Sequence, residues 1–365
     1  MIGTLYRNVV KPVLFKFDPE FVHDRMLAVG NFLGRFEVTK WFTRLMFDYE
    51  SSALTQEVAG LHFRNPVGLA AGFDKNANLV DILPQVGFGA MELGSVTLEA
   101  YSGNPKPRLR RLPKSKALVV YYGLMNIGVR KFVTKLQSYS QHRAIVGISV
   151  AKTNSSRTAT EEQGIQDYYE CLQYLESQQI GDYYTINVSC PNTFGGEPFT
   201  TEDRLQKLLA KISSLNIKKP VFIKLPINLT IEEFDALLRV AVRFKITGVV
   251  IGNLTKARDP QLIHDHLPAD AKGGISGLPT QKLSNDLISY TYKNYGKQLV
   301  IVGVGGIFSA EDAYEKIRRG ATLLQLITGM IFQGPQLVGE ISRGLTTLLK
   351  RDGYENISEA VGTSS

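Results

Sequence analysis

Tyr183-Tyr-Thr-Ile-Asn-Val-Ser-Cys-Pro-Asn-Thr193 is an apolar run that ends in a polar loop. The apolar part, 183–188, predicts a buried β-strand. The loop presents two carboxamides, Asn187 and Asn192, with the thiol of Cys190 between them. Carboxamides can recognise the donors and acceptors of a flat polar ligand, and the thiol is a candidate base or nucleophile. The alternative is a plain turn, in which Asn and Pro serve only the backbone geometry.

The same strand-then-loop pattern recurs along the chain from about residue 61. Short β-rich runs predict strands at 67–71, 88–94, 145–150, 183–188, 221–225, 248–252, 299–303 and 323–327. Helical patterns follow them near 76–85, 127–141, 161–179, 202–214, 231–245, 279–294, 310–319 and 335–350. Eight strand–helix units over about 290 residues predict an α/β fold, the (β/α)8 TIM barrel. A doubly wound sheet is the alternative, and it needs a reversal of strand order that is not visible in the sequence.

In a barrel of this kind, the active site forms at the C-terminal ends of the strands. That rule gathers several polar or small residues at one mouth: Lys75, Ser95, Lys152, Asn187, Cys190, Lys224, Asn253 and Gly305. Gly303-Val-Gly-Gly-Ile307 follows the seventh strand and predicts a phosphate cradle, because small residues let backbone N–H groups approach an oxyanion. A second Gly-rich loop, 273–277, and the pair Thr328-Gly329 lie near the same end.

Two lysines add positive charge to this mouth. Lys224 ends the fifth predicted strand, where a lysine is costly unless it has a function. The alternative for Lys224 is a buried ion pair with an acid that the sequence does not identify. Lys75 follows the first strand and suits a carboxylate or a phosphate.

Composition narrows the classes of partner. The chain has 365 residues and a formal charge of +8, and a basic surface suits nucleic acid, anionic lipid or an anionic substrate. The charge is scattered, so nucleic acid is the least favoured of the three.

The two cysteines, Cys171 and Cys190, give no disulfide framework and indicate a reducing compartment. The five histidines have no metal-ligand spacing, so no metal site is predicted.

Residues 1–50 differ from the rest. Asp18 can cap a helix and Pro19 suits its first position. Apolar residues follow at 21, 26, 27, 29, 32 and 33, and again around Trp41. Two short helices cannot form a core alone, so they either pack on the barrel as a lid or lie in a membrane interface as an amphipathic hairpin. We expect neither a transmembrane helix nor a signal peptide.

The motifs together resemble those of the dihydroorotate dehydrogenases, in particular the membrane-associated, quinone-dependent class. The matching stretches are 65–75, 87–97, 103–108, 111–113, 187–193, 273–277, 302–306 and 332–335. They cover nearly the whole chain in order and are weakest at 51–60, 114–121 and 254–272. The resemblance implies oxidation of dihydroorotate to orotate with a quinone as acceptor, in pyrimidine biosynthesis. It also implies an FMN-binding barrel over 51–365 and a membrane and quinone-access segment over 1–50. Peripheral contact with membrane lipid follows, on the cytoplasmic face of the inner membrane if the cell is bacterial.

The resemblance also implies roles for individual residues, according to their positions in the chain. Cys190 stands where the family places its catalytic base, and Arg111 resembles a residue beside the quinone tunnel. The substrate contacts that the resemblance implies are Lys75, Asn187, Asn192 and Asn253. The implied FMN contacts are Ala71, Gly72, Lys75, Ser95, Ser149, Asn187, Lys224, Ser276, Gly277, Gly305, Gly306, Thr328 and Gly329. A lysine at 224, beside N1 and O2 of a flavin, would stabilise the reduced, anionic ring.

Several positions depart from the family's pattern. The quinone class has Ser where this chain has Cys190. Val120 takes the place of a substrate-binding Asn, and Leu254 that of a Thr. Gly252 also takes the place of a Thr, and the other departures are Leu124, Met125, Ser149 and Ile327. Two alternatives therefore stay open beside the family's reaction: an FMN-barrel oxidoreductase acting on another flat polar substrate, and a paralogue that binds FMN at a membrane with little or no turnover.

Overall fold

A closed barrel of eight parallel strands forms the centre of the computed structural model, which describes residues 2–139, 144–194, 196 and 198–364. The strands are Val67–Leu69, Ala90–Val96, Ile145–Val150, Tyr183–Asn187, Val221–Leu225, Gly248–Ile251, Val300–Val304 and Leu323–Leu326. Each pairs with the next along the chain, and the last pairs with the first. The predicted (β/α)8 barrel is confirmed, and the doubly wound alternative was wrong.

An outer layer of helices covers the barrel. Its members are Val129–Gln137, Glu161–Ser177, Glu202–Ser213, Ile231–Arg243, Gln281–Tyr295, Ala310–Arg318 and Leu337–Asp352. The helix predicted at 76–85 was wrong, because only Leu83–Val86 is helical there. The carboxylate of Asp74 accepts the backbone N–H groups of Asn78 and Leu79. Such a local bond competes with the helical hydrogen bonds of the segment.

Two small antiparallel sheets were not predicted. Gln56–Val58 and Leu61–Phe63 form a hairpin, whose apolar side chains pack on those at the N-terminal ends of barrel strands. A three-stranded sheet of Leu109–Leu112, Ala117–Val120 and Gly274–Gly277 lies at the opposite, C-terminal end. We call this second sheet the roof sheet. It carries Val120 and Ser276 to the edge of the barrel mouth.

The N-terminal segment is helical in three parts. The first, Ile2–Leu5, Tyr6–Val10 and Lys11–Leu14, was not predicted. Helix Pro19–Gly34 begins at the predicted cap, where the carboxylate of Asp18 accepts the backbone N–H of Phe21 at 2.9 Å. Helix Glu37–Phe47 follows. Among the described residues, no helix is both long and apolar enough to cross a membrane.

Candidate functional site

A cavity opens at the C-terminal ends of the barrel strands, between the mouth, the roof sheet and helix Pro19–Gly34. It contains about 1270 Å³ of space outside protein atoms, part of it open to solvent. The predicted site residues that line it are Ala71, Gly72, Lys75, Ser95, Asn187, Cys190, Asn192, Lys224, Asn253, Ser276, Gly277, Gly305, Gly306, Thr328 and Gly329. The barrel therefore gathers residues from seven strand ends and the roof sheet.

Three candidates lie outside the cavity lining. Ser149 is fully buried, and its Oγ lies 2.7 Å from Oγ of Ser95, so it supports a lining residue. Arg111, on the roof sheet, donates to the carbonyl oxygen of Phe17 at 2.7 Å. The placement of Lys152 at the mouth was wrong, because its Nζ donates to the carbonyl oxygen of Thr158 at 3.0 Å.

The predicted amides form a connected frame. Nδ2 of Asn187 donates to Oγ of Ser95 at 2.8 Å, and its Oδ1 accepts the hydroxyl of Ser189 at 3.0 Å. Nδ2 of Asn253 donates to the carbonyl oxygen of Ser189 at 2.7 Å. Nδ2 of Asn192 donates to the carbonyl oxygen of Val120 at 2.9 Å. Nδ2 of Asn253 also donates to Oγ of Ser189 at 2.6 Å. A carboxamide has two N–H hydrogens, so Asn187 and Asn192 are each fixed by one of them and can offer the other to a ligand, whereas Asn253 uses both within the protein.

Cys190 is half-buried and lies in the loop between these amides. The loop is held at both ends. The hydroxyl of Tyr168 donates to the carbonyl oxygen of Asn187 at 2.7 Å, and Nδ2 of Asn104 donates to the carbonyl oxygen of Asn192 at 3.0 Å. Sequence reasoning missed Tyr168 and Asn104, since both act through backbone carbonyls.

Lys224 is a buried cation directed at the cavity. It is 4% exposed, and its Nζ donates no hydrogen bond to any described residue. Burial lowers the pKa of Lys224, and the nearby Glu92 opposes that shift. Glu92 is an acid near Lys224, but the two form no ion pair among the described residues, so the buried ion pair that was the alternative is not seen. Oε2 of Glu92 accepts the hydroxyl of Thr185 at 2.8 Å and the amide of Gln325 at 2.9 Å.

Glu92 could have been found in the sequence. It is a carboxylate in the middle of the otherwise apolar run 88–94, and an isolated charge in a buried strand needs a partner. Its other oxygen, Oε1, is buried without a hydrogen-bond partner in the part of the chain described. The interior below the cavity is therefore polar and charged rather than purely apolar.

Lys75 lies where the N-terminal helix meets the mouth. Its Nζ is 3.4 Å from Nε2 of His23 and 4.0 Å from the ring centre of Tyr122. Burial lowers the pKa of Lys75 to about 8, although the carboxylates of Asp24, Asp74 and Glu20 oppose the shift. Burial and the charge of Lys75 lower the pKa of His23 to about 3, so His23 is neutral near pH 7. The site therefore combines a protonated lysine with a neutral imidazole.

The Gly-rich turns form a cradle of unused donors. Among the described residues, the backbone N–H groups of Gly305, Gly306 and Gly329 donate no hydrogen bond. Gly305 and Gly306 have φ of +105° and +71°, a region that favours glycine. A Cβ on Gly305 would lie 2.6 Å from Oγ1 of Thr280. Free N–H groups around a cavity are the donors that a phosphate requires, so these turns fit an anionic group.

The departures from the family's pattern concentrate on the same cavity. Its lining includes Val120, Leu124, Met125, Leu254 and Ile327. These five side chains are apolar or a thioether, so this part of the wall offers little hydrogen bonding. Gly252 also departs from the pattern, and its φ of +130° makes a side chain there strained.

Barrel, amide frame and anion cradle together define a (β/α)8-barrel enzyme whose cavity combines unused donors that suit an anionic group with carboxamides that suit a polar molecule. The family model that describes dihydroorotate dehydrogenase matches residues 53–349. The chain belongs to the dihydroorotate dehydrogenase family, whose members are in general flavin-dependent.

Individual proteins with known names are similar to this chain over nearly its full length. The chain is 36% identical to the dihydroorotate dehydrogenase (quinone) of Trichodesmium erythraeum, over 99% of each chain. It is 38% identical to the protein of the same name from Gloeobacter violaceus, over 98% of each. A solved structure of the Eimeria tenella enzyme in complex with ferulenol has a TM-score of 0.82 at 27% identity, covering 95% of each chain. The ligand-free Eimeria tenella structure has a TM-score of 0.83 at 28% identity, covering 95% of this chain and 99% of the other.

Proposed function

We propose that this chain is a quinone-dependent dihydroorotate dehydrogenase, which oxidises dihydroorotate to orotate with FMN as cofactor in pyrimidine biosynthesis. One observation carries the proposal. A single cavity joins a cradle of unused backbone N–H donors, the buried cation Lys224 and a thiol, Cys190, framed by carboxamides. Each of these parts matches one requirement of flavin-dependent oxidation of a flat, polar ring.

The residues present fit FMN. The free N–H groups of Gly305, Gly306 and Gly329 suit its phosphate. Lys224 has a cationic head without a hydrogen-bond partner among the described residues, directed at the same cavity, and it would hold negative charge on the reduced ring. Ser95 and Asn187 extend the polar wall between these two groups. When bound, FMN supplies the hydride acceptor of the reaction.

The substrate's ring is held by the amide frame and by Lys75. The second N–H of Asn187 and of Asn192 is available to ring carbonyl groups, and Oδ1 of Asn253 can accept from a ring N–H. Lys75 pairs with the substrate's carboxylate and keeps its proton below about pH 8. Sγ of Cys190 takes a proton from the carbon next to a ring carbonyl, and such general base catalysis is worth about 10²–10⁴ in rate.

Residues 1–50 serve as the membrane and quinone-access segment, and 51–365 as the FMN-binding catalytic barrel. The N-terminal helices expose large apolar side chains: Phe21, Met26, Val29, Phe32, Phe36, Val38, Trp41, Phe42, Leu45 and Met46. Leu45 is 67% exposed and Trp41 49%. An exposed apolar face of this size marks an interaction surface, and amphipathic helices with Trp and Phe suit a lipid interface.

This face gives the proposed location and electron path. The protein is a peripheral membrane protein, on the cytoplasmic face of the inner membrane in a bacterial cell. Quinone enters beside helix Pro19–Gly34, which separates the exposed face from the cavity, and Arg111 stands next to that segment through its bond to Phe17. No nucleic acid takes part.

The test is purification in mild detergent, followed by an absorption spectrum and a turnover assay with dihydroorotate and a quinone. We expect bound flavin that dissociates as FMN, bleaching by dihydroorotate, and re-oxidation by the quinone. The variant Lys224→Met should bind FMN but show a lower reduction potential. A protein that neither contains nor takes up FMN would contradict the proposal.

A second candidate has specific support. Val120 and Leu254 line the cavity and can neither donate nor accept a side-chain hydrogen bond. These positions favour a flavin barrel that oxidises another flat polar molecule. Anaerobic bleaching of the flavin by other cyclic amides, without bleaching by dihydroorotate, would establish this candidate instead.

A further inference from the structure

Lys316 is a buried lysine behind the anion cradle. It lies on helix Ala310–Arg318 and is 0% exposed. Its Nζ donates to Oδ1 of Asn285 at 2.6 Å and to Oγ of Ser284 at 3.0 Å. Both acceptors are neutral and belong to helix Gln281–Tyr295. A buried ammonium held only by neutral groups is costly, so its retention calls for a physical reason.

Ser284 connects this ammonium to the cradle. Its hydroxyl accepts from Lys316 and donates to the carbonyl oxygen of Val304 at 2.6 Å. That carbonyl shares a peptide bond with the N–H of Gly305. Because a trans peptide directs C=O and N–H to opposite sides, the N–H of Gly305 points away from Ser284, and Gly305 lines the cavity. A relay therefore runs from Lys316 through Ser284 and the peptide 304–305 to an unused donor.

We propose that Lys316 is a positioning residue for the phosphate of FMN, acting through Ser284 and the peptide between Val304 and Gly305. Hydrogen bonds in a chain polarise one another, so the ammonium strengthens the N–H of Gly305 as a donor. It also fixes the loop and places a positive charge behind it. The inference rests on the proposed function and adds a residue that does not contact the ligand itself.

The electrostatic surroundings agree with this role. Burial lowers the pKa of Lys316 to about 7, opposed by Glu315 and Asp312 and reinforced by Arg319. These three charged groups lie on the lysine's own helix or directly after it. Helix Gln281–Tyr295 presents the neutral Ser284 and Asn285 to Lys316. Within the described chain, no direct ion pair neutralises the charge of Lys316. This charge can therefore act on a bound phosphate through the relay.

The test compares FMN with riboflavin, which lacks the phosphate. Apoprotein is prepared from the full chain, and both dissociation constants are measured by fluorescence quenching. The variants are Lys316→Met and Ser284→Ala. Thr291→Val is the matched control, since Thr291 is fully buried on the same helix but donates within it, to the carbonyl oxygen of Leu287.

We expect Lys316→Met to weaken FMN binding about tenfold, because the hydrogen bond from Gly305 to the phosphate loses the polarisation and the positioning that the ammonium provides. Riboflavin binding should change less than about threefold in that variant. Ser284→Ala should shift the ratio of the two affinities in the same direction, and Thr291→Val should leave it unchanged. A role in folding alone would weaken both flavins equally.

The wild-type protein gives a second measurement that needs no variant. Lys316 is charged below its pKa of about 7, so the preference for FMN over riboflavin should fall as the pH rises from about 7 to 9. The slope should be absent in Lys316→Met. Groups that contact the flavin ring, such as Lys224, affect the binding of both ligands equally, so their effects cancel in the ratio of the two affinities.

The outcomes separate the two proposals. If the wild-type protein binds FMN and the affinity ratio is unchanged in Lys316→Met, this inference is overturned and the proposed function stands. If the wild-type protein binds neither flavin, the proposed function is refuted, and so is this inference, which rests on it.

Discussion

We expect Lys75 to make binding of the substrate's carboxylate depend on pH, and Glu20, with Asp24 and Asp74, to contribute to the pH at which this happens. Glu20 is buried on helix Pro19–Gly34 and accepts hydrogen bonds from Arg108 with both carboxylate oxygens. It helps to hold the pKa of Lys75 at about 8, against a lowering by burial. The perturbation we choose is Glu20→Gln, which removes the charge and keeps the shape.

The expected change in orotate affinity is worked out from the pKa of Lys75. Lys75 has a folded pKa of about 8, below its ordinary 10.5, so its positive charge is present below pH 8 and is lost as the pH rises. Orotate affinity should then be constant below about pH 8 and fall about tenfold per unit above it. In Glu20→Gln, the loss of the carboxylate and the unpaired charge of Arg108 both lower the pKa of Lys75. A decrease of about one unit leaves about a tenth of Lys75 protonated at pH 8 instead of half, so orotate binds about fivefold more weakly.

The assay is titration of the FMN-loaded protein with orotate, by calorimetry, between about pH 6.5 and 9.5. Binding is preferable to turnover because it does not require proton transfer to Cys190. Glu57→Gln is the control, since Glu57 is exposed and lies on the hairpin at the other end of the barrel. If Glu20→Gln leaves the midpoint of the affinity profile where it is in the wild type, Lys75 is not the group that binds the carboxylate.

Three further predictions concern the base, the membrane face and the altered pocket. Cys190→Ala should slow flavin reduction by dihydroorotate about 10²–10⁴-fold while FMN stays bound; stopped-flow reduction near the wild-type rate would exclude the thiol as the base. Trp41→Ser with Leu45→Ser should abolish vesicle binding and slow reduction of a long-chain quinone, yet leave flavin reduction unchanged; unchanged sedimentation with vesicles would rule out this docking face. Val120→Asn with Leu254→Thr should tighten orotate binding, because each buried polar group left unpaired costs about 1–3 kcal/mol; weaker binding in calorimetry would show that the ring is held by other groups.

The barrel could be predicted because its strands are buried on both faces. Every residue of Ala90–Val96 is buried, and such strands appear in the sequence as β-rich runs separated by loops. The roof sheet could not be predicted in the same way. Its strand Leu109–Leu112 is largely half-buried and contains two arginines. Ala117–Val120 pairs with Gly274–Gly277 across more than 150 residues of chain, a contact that local periodicity cannot reveal.

The residues of the candidate site also fall into two groups, those that could be predicted from the sequence and those that could not. Residues in loops after strands were predicted to converge, because barrel topology alone brings those loops together. The environment of Lys75 depends instead on His23 and Glu20, which come from a helix outside the barrel. Lys152 was misplaced because a strand end specifies a residue's position but not the direction of its side chain. The ammonium of Lys152 donates to the carbonyl oxygens of Thr158 and Phe194, so it stabilises loops rather than a ligand.

The backbone of the altered pocket limits which of the family's side chains can be restored by substitution. Nδ2 of Asn192 is anchored by the backbone carbonyl of Val120, so the amide frame does not depend on which side chain stands at 120, and Val120→Asn can be made without loosening it. Gly252 is different. Its φ is +130°, and a Cβ there would overlap the carbonyl oxygen of Val304, next to the anion cradle. The hydroxyl that the resemblance places at 252 therefore cannot be restored by substitution alone. Any loss of affinity that survives Val120→Asn and Leu254→Thr should come from the missing hydroxyl at 252, and it should affect ligands that need a donor near 252 more than those that do not.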